Sequence, residues 1–370
     1  MNIRVGKVET GRDRSDFIKL PYRLHKGQKG WVPPLVSEVK NALSKDKNPF
    51  YQHSSIEQFV ARRDDKVVGR IAAVVDHNFI KAQGQEIGLF GFFECIDDHN
   101  VANALFECAA QSLKERKMQR MLGPSNPSMN DEIGVLLDAF DIPPAIKMVW
   151  NPPYYPVLYE NAGFSKAMDI FAYDMHEDDA TDRLKRMGLA ILKRSKISIR
   201  KVNMKRFDEE VETFRQVYNS AWSDNWGFVP WTKEEFEHTA KSLKQIIDPD
   251  IVLIAEDQGK PAGFALGLPD LNMALKHING RLFPFGLPIL LYHSRKINRI
   301  RVPILGVVKE YRGRGIDTAL YYETFRIGTG KGYHSVEMSW ILEDNELMNR
   351  AAEMMGARKY KTYRLYEKPL

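Results

Sequence analysis

One short segment of this sequence has residue types and spacing that could do chemistry. It reads Arg312-Gly313-Arg314-Gly315 and stands between an apolar stretch at 302–308 and a stretch of helical character. Glycines between a strand and a helix let a ligand approach the backbone closely, and the unpaired N–H groups of a first helical turn attract anions. The two guanidinium groups add positive charge. The segment therefore predicts a binding site for a diphosphate.

The residues around this segment resemble motif A of the GNAT (N-acetyltransferase) superfamily, Leu-x-Val-x-x-x-Tyr-Arg-Gly-x-Gly. The matching positions are Leu305, Val307, Tyr311, Arg312, Gly313 and Gly315. A strand at 335–340 and a helix at 345–356 follow in the order of that family. The first half matches further on, because Leu-Tyr-Glu-Asn-Ala-Gly-Phe at 158–164 is similar to the family's motif B.

The resemblance implies an α/β fold with two tandem GNAT-like domains, each a mixed sheet flanked by helices. It implies an acyl-coenzyme A-dependent N-acyltransferase, with acetyl as the expected acyl group and a small-molecule or protein amine as acceptor. The coenzyme's pyrophosphate would lie over the backbone from Arg312 through Gly313, Arg314 and Gly315 to Ile316. Val307 and Asn345 would also contact the coenzyme. The acyl-coenzyme A would be a co-substrate, and no metal is implied.

Landmarks that recur at a nearly constant offset predict a tandem duplication. Ala, Lys and Gly recur with an offset of 194 at 61→255, 66→260 and 69→263, and Gly163 and Gly356 follow with an offset of 193. The predicted halves are 1–176 and 181–370, joined by the acidic stretch 176–182. In each half we expect a long strand, a helix, a short strand, a second helix and a closing hairpin.

Two departures divide the family's features between the halves. Asp317 stands where the family has a small residue. Ala352 stands where the family usually has the Tyr that acts as the acid for the leaving thiolate. That Tyr is present in the first half as Tyr159, but 97–100 there reads Asp-Asp-His-Asn instead of a glycine loop. Two acids without a glycine would repel a pyrophosphate. The first half, a degenerate domain, is therefore predicted not to bind coenzyme A in this way.

Candidates for proton transfer are few. Glu337 and Ser339 share one face of the predicted strand, so Glu337 is the candidate base if that face lines the cleft, and a solvated strand residue otherwise. Tyr159 is the candidate acid, although its helical spacing fits core packing as well. The polar loop 123–132 and the aromatic stretch 151–155 could help to form the acceptor pocket, or could be ordinary loops.

Composition restricts the remaining classes of protein. The chain has 370 residues, 44% of them hydrophobic, which suits two domains with proper cores. Cys95 and Cys108 provide neither a disulfide framework nor a four-ligand zinc site, and a reducing cytoplasm fits best. The most apolar stretch, 282–292, is short and interrupted by Pro284 and Pro288, so neither a membrane span nor a membrane partner is expected.

Two other classes of function stay open. A non-catalytic coenzyme-binding or scaffold protein would explain why each half lacks one family feature. A tRNA-dependent aminoacyl transferase would use the segment 183–206, which holds ten Lys or Arg residues and no Asp or Glu. A solvated helix face beside a linker is the favoured interpretation of that segment, and because Arg312–Gly315 is retained, a nucleic-acid partner is not expected.

Overall fold

The first half of the chain folds into nine strands and five α-helices in the computed structural model, which describes residues 2–194 and 196–370. The strands are β1 (Ile3–Lys7), β2 (Ser54–Arg63), β3 (Lys66–Asp76), β4 (Ile87–Cys95), β5 (Arg120–Gly123), β6 (Ser125–Asn126), β7 (Glu132–Ile133), β8 (Val135–Leu136) and β9 (Ser165–His176). The helices are α1 (Gly11–Leu24), α2 (Val36–Ala42), α3 (His77–Gln83), α4 (His99–Glu115) and α5 (Tyr155–Asn161).

The described part of the second half repeats this order with an insertion. The strands are β10 (Ile197–Lys201), β11 (Val252–Asp257), β12 (Lys260–Pro269), β13 (Arg299–Val307), β14 (Ser335–Leu342) and β15 (Arg358–Pro369). The helices are α6 (Asp182–Arg194), α7 (Phe207–Ala221), α8 (Lys233–Leu243), α9 (Asn272–Leu275), α10 (Gly286–Ser294), α11 (Ile316–Gly330) and α12 (Glu346–Met355). The insertion lengthens the connection between β12 and β13, which holds α9 and α10 where the first half has only α3 between β3 and β4.

The predicted α/β fold class is confirmed. In each half an antiparallel run of four strands is followed by one parallel pair, β4 with β5 and β13 with β14. The helix between the paired strands packs on one face of the sheet through its apolar stripe. In α4 the stripe residues Val101, Leu105, Ala109 and Leu113 are fully buried, as their 3.6-residue spacing predicts.

The two halves share one continuous mixed sheet, and their last strands are exchanged. The strand order runs β1-β2-β3-β4-β5-β15-β9-β14-β13-β12-β11-β10. Strand β9, which ends the first half, pairs with β14 of the second half, and β15 pairs with β5 of the first. The expected closing hairpins are wrong. Each segment is one strand of 12 residues, because neither contains a Gly or Asn to form a tight turn.

Candidate functional site

Helix α11 begins with unused backbone N–H groups. Gly313 and Gly315 have φ angles of 75° and 76°, a left-handed conformation that glycine adopts without strain, and no side chain caps the helix. Within the described residues, no protein acceptor takes the backbone N–H groups from 313 to 318. Residues 312–314 are exposed. Since the helix dipole also favours negative charge at this end, the segment can bind an anion.

The two arginines of the loop are held differently. Arg312 donates through Nη2 to the carbonyl oxygen of Ala221 at 2.6 Å, at the end of α7. Arg314 lies with its guanidinium carbon 5.0 Å above the ring of Tyr311, and its Nη1 is 3.8 Å from Oδ2 of Asp257. Both side chains remain about half exposed. Each therefore keeps donors available for a ligand bound at the loop.

The corresponding helix start in the first half is occupied by its own side chain. Asp98 accepts hydrogen bonds from the backbone N–H groups of Asn100 at 2.9 Å and Val101 at 3.3 Å. Its other carboxylate oxygen accepts from Arg63 at 2.5 Å. A pyrophosphate would have to displace a charged cap that is already paired. That the first half does not bind coenzyme A in this way stays a prediction.

The parallel strands β13 and β14 separate halfway along. Their pairing runs from Arg299 opposite Ser335 to Val302 opposite Met338, after which both strands continue without pairing to each other. The matching gap in the first half is filled by the segment after β5. There the N–H of Phe92 donates to Asn126 Oδ1 at 2.6 Å, and a Cβ on Gly91 would lie only 1.7 Å from the Ser125 carbonyl oxygen.

Glu337 is fully buried and balanced by two arginines. Its oxygens lie 3.5 Å from Nη2 of Arg299 and 3.5 Å from Nε of Arg301. The carboxylate also accepts hydrogen bonds from the hydroxyls of Ser339 and Tyr360. Sequence alternation predicted correctly that Glu337 and Ser339 share a face. The solvated alternative is wrong, since Glu337 is 0% exposed.

The Glu337 cluster extends to the first half of the chain. Arg301 donates through Nη1 to the carbonyl oxygens of Ile146 at 2.7 Å and Lys147 at 3.0 Å. Lys361 donates to the carbonyl oxygen of Ile142 at 2.7 Å, and burial lowers its pKa to about 8. Sequence analysis missed these residues. The signal in the sequence for a buried charged cluster was the presence of arginines at the alternate positions 299 and 301 of an otherwise apolar strand.

Four buried donors in this region have no hydrogen-bond partner within the described residues. They are Nε of Arg299, Nη2 of Arg301, Nε1 of Trp340 and the hydroxyl of Tyr363. The Arg301 guanidinium lies 4.9 Å above the Trp340 ring, and Trp340 follows the point where β13 and β14 separate. Buried polar groups are normally hydrogen-bonded. These unpaired donors could therefore bind a polar group of a ligand beside the separated strands.

The structure does not bring Tyr159 to the glycine loop. It is 1% exposed in the aromatic core of the first half, with its ring centroid 5.0 Å from those of Phe106 and Tyr366. Burial raises the pKa of Tyr159 well above its ordinary value, so the phenol is a poor proton donor to a thiolate. The core-packing interpretation of its helical spacing agrees with this position.

The other predicted coenzyme contacts have structural roles as well. The Asn345 side chain caps α12 by accepting from the N–H of Met348 at 3.2 Å. Val307, the last residue of β13, lies opposite Gly263 of β12. Ile316 is buried, and its backbone N–H has no acceptor within the described residues. The loop 313–316 thus supplies backbone donors, whereas Asn345 contributes helix capping.

The polar loop of the first half reaches the α7–α8 connection of the second half. Asn130 donates to the carbonyl oxygen of Val229 at 3.2 Å. Nearby, His53 lies between two carboxylates, with Nδ1 3.0 Å from Asp76 and Nε2 3.1 Å from Glu235. Burial disfavours the imidazolium, but the two carboxylates outweigh it and raise the pKa of His53 to about 9. These contacts connect the halves beside the loop 123–132.

The basic segment 183–206 divides into two parts. Arg200 forms salt bridges with Glu210 and Glu256, both at 2.7 Å, and Lys201 pairs with Asp250 at 2.8 Å. The cations on α6 are exposed instead.

Across 2–194 and 196–370, no group of three or more His, Cys, Asp or Glu side chains is arranged to hold a metal ion.

Comparison with known proteins agrees with this geometry. A sequence model of the acetyltransferase (GNAT) family matches residues 211–357. The chain is 38% identical over 381 residues to "Bacterial ceramide synthase" of Caulobacter vibrioides (strain NA1000 / CB15N), covering 100% of this chain and 98% of that protein. It is 37% identical over 374 residues to "Protein YghO" of Escherichia coli (strain K12), covering 99% and 96%.

Solved structures share the whole fold. The tandem GNAT protein from the clavulanic acid biosynthesis pathway superposes with a TM-score of 0.60 at 13% identity, covering 100% of this chain and 98% of that one. A GCN5-related N-acetyltransferase from Sphaerobacter thermophilus gives 0.55 at 13% identity, covering 99% and 95%. The fold and its uncapped α11 define a tandem GNAT protein. The chain belongs to the GNAT acyltransferase family, as the sequence resemblance indicated.

Proposed function

We propose that this chain is an acyl-coenzyme A-dependent N-acyltransferase whose acceptor is the amine of a long-chain amino alcohol. The uncapped start of α11, with its free backbone N–H groups and two arginines, is the observation that carries the coenzyme part of the proposal. The acceptor class draws support from the full-length relative named a ceramide synthase. A ceramide is the amide of a fatty acid with such an amino alcohol.

The residues of the loop fit a diphosphate. Within the described residues, the N–H groups from 313 to 318 have no protein acceptor, residues 312–314 are exposed, and Arg314 lies beside them with most of its donors free. Asp317 is the one unfavourable group, because its carboxylate would face the same anion. Cationic donors on either side of the turn offset that repulsion.

The reaction needs few groups from the protein. The neutral amine attacks the thioester carbon, a C–N bond forms, the C–S bond breaks, and the thiolate takes up a proton as the amine nitrogen loses one. Binding the two substrates in line supplies much of the acceleration of such a reaction. Glu337 acts as a positioning residue in this scheme, because Ser339, Tyr360, Arg299 and Arg301 already fill its oxygens.

Thiol release from acyl-coenzyme A by the purified full-length chain tests the proposal. We expect palmitoyl-coenzyme A with sphinganine to release thiol and to form the amide detected by mass spectrometry. Arg314→Gln should raise the KM for the thioester about tenfold, since charge-assisted hydrogen bonds to a diphosphate contribute roughly 1.5–3 kcal/mol. Arg350→Gln, on the exposed surface of α12, is the matched control and should change nothing.

The outcomes separate the parts of the proposal. Turnover of small amines with acetyl-coenzyme A, without turnover of sphinganine, would overturn the acceptor class and retain the acyltransferase. Tight coenzyme A binding without turnover on any amine would favour the non-catalytic class. Failure to bind coenzyme A at all would reject the site at α11.

A further inference from the structure

The insertion between β12 and β13 exposes a continuous apolar surface. Residues 282–292 read Leu-Phe-Pro-Phe-Gly-Leu-Pro-Ile-Leu-Leu-Tyr and contain no charged residue. Phe283 is 87% exposed and Phe285 is 73% exposed, while Leu291 and Tyr292 are each 57% exposed. Single exposed apolar side chains are ordinary, but a contiguous set of this kind marks an interaction surface.

The exposed surface of α10 extends around more than half of the helix. At about 100° per residue, the exposed positions from Leu287 to Tyr292 cover an arc of about 200°. The helix is attached to the protein through the remaining side, where Gly286 is buried and Leu290 packs beside Leu275. A groove on a protein partner covers one stripe of a helix. A medium that surrounds the helix, such as lipid, fits an arc of this width better.

The charge around this surface has one sign. Residues 271–298 contain four Lys or Arg residues and no Asp or Glu. Lys276, Arg281, Arg295 and Lys296 are exposed next to the apolar patch. Lys296 lies with its Nζ 4.2 Å from the centroid of the Tyr292 ring. Lysine and arginine with aromatic residues at the edge of an apolar patch are suited to the headgroup layer of an anionic bilayer.

We propose that the segment 281–296, here called the docking segment, binds this protein to the surface of an anionic phospholipid bilayer. Phe283, Phe285 and the exposed side of α10 enter the acyl-chain boundary, and the flanking cations contact the phosphate groups. Helix α10 has nine residues and is about 13 Å long, against roughly 30 Å for a bilayer core. Within the described residues, no helix has the length and apolarity to cross a membrane.

From the sequence, the apolar stretch of the docking segment argued against a membrane partner, because it is too short to cross a bilayer. Binding to the surface is a different mode and needs no span. The inference goes beyond the proposed function and does not rest on it, since vesicle binding can be measured without either substrate.

A second copy of this chain is the competing occupant. A two-fold dimer through the docking segment would place the same patch on both sides of the interface. Lys276, Arg281, Arg295 and Lys296 would then face their own copies, and 271–298 offers no acid to compensate them. An anionic lipid surface supplies the missing negative charge.

Co-flotation of the full-length protein with vesicles tests the proposal. Vesicles of phosphatidylethanolamine and phosphatidylglycerol at 3:1 should carry the wild type, and phosphatidylcholine vesicles should carry at least fivefold less. Phe283→Ser with Phe285→Ser should weaken binding at least tenfold. Arg281→Gln with Arg295→Gln should remove the preference for anionic vesicles. Leu347→Ser, at a position 81% exposed on α12, is the control and should bind like the wild type.

A second measurement keeps the result interpretable. Phe283→Trp should shift its emission to shorter wavelength when anionic vesicles are added, whereas Leu347→Trp should not. The proposal is overturned if the wild type stays with the vesicle-free fraction, or if the double Phe variant floats like the wild type. It is also overturned if light scattering shows a dimer that the Phe variant dissociates while vesicle binding is absent.

Discussion

Replacing Glu337 by Gln tests whether this buried side chain stabilises the fold through its charge or through its shape. Gln has about the same volume, but it removes the negative charge that lies 3.5 Å from both Arg299 and Arg301. Arg301 is only 1% exposed and would keep carbonyl and hydroxyl acceptors without that counter-charge. Breaking a buried ion pair from one side costs about 3–5 kcal/mol, and we expect Glu337→Gln to lose stability of that order.

Urea unfolding followed by circular dichroism measures this loss. Glu310→Gln is the matched control, because Glu310 is an exposed carboxylate close to the glycine loop, and it should stay within about 0.5 kcal/mol of the wild type. In the double variant, Arg301→Met should recover part of the loss by removing the unbalanced charge, since contacting residues are not additive.

The same variant separates a positioning residue from a base. A general base contributes about 10²–10⁴-fold to rate, so its removal would lower kcat with little effect on unfolding. If Glu337→Gln unfolds like the wild type but loses turnover on that scale, the ion-pair explanation is wrong. Parallel losses of stability and turnover agree with it.

Three further predictions concern other parts of the fold. Asp317→Ala should tighten coenzyme A binding about fivefold by titration calorimetry, because a carboxylate roughly 6 Å from a diphosphate costs about 1 kcal/mol; equal affinities would show that Asp317 does not face the anion. The pKa of His53 is raised from 6.5 to about 9, so its stabilisation is complete below pH 6.5 and lost as pH rises through 9. Between pH 6.5 and 10 the wild type should therefore lose more stability than His53→Gln, and identical profiles would contradict a raised pKa for His53. Gly91→Ala should lower the calorimetric unfolding temperature, because its Cβ would meet the Ser125 carbonyl oxygen at 1.7 Å, and an unchanged transition would exclude that packing.

Local patterns were enough to predict most elements of the fold. The stripe of α4 and the strand at β13 depend on neighbours along the chain, and periodicity records them. The partners of β9 and β15 depend instead on which sheet edge each strand joins. Their alternation is compatible with a hairpin or with an exchange, so the continuous sheet could not be predicted from it.

The candidate site, too, was predictable from the sequence only in part. The glycine loop was predictable, because Gly313 and Gly315 impose their own backbone conformation. The role of Glu337 was not, since its counter-charges come from β13 and its hydroxyl donors from β14 and β15. The apolar run 282–292 was recognised, but hydropathy alone does not distinguish a buried helix from one exposed to solvent.

The exchanged strands determine how the chain can be divided. Cutting it between 176 and 182 would leave β9 joined to the first half, whereas β14 and β15, the strands that β9 is hydrogen-bonded between, belong to the second half. A fragment starting at 181 would carry an unpaired backbone edge on β14, and two such fragments could pair it by swapping their last strands. The intact chain has the connectivity of that swapped homodimer fused end to end. Because the two copies are fused, one can cap its helix with Asp98 while the other keeps an uncapped helix start at Gly315.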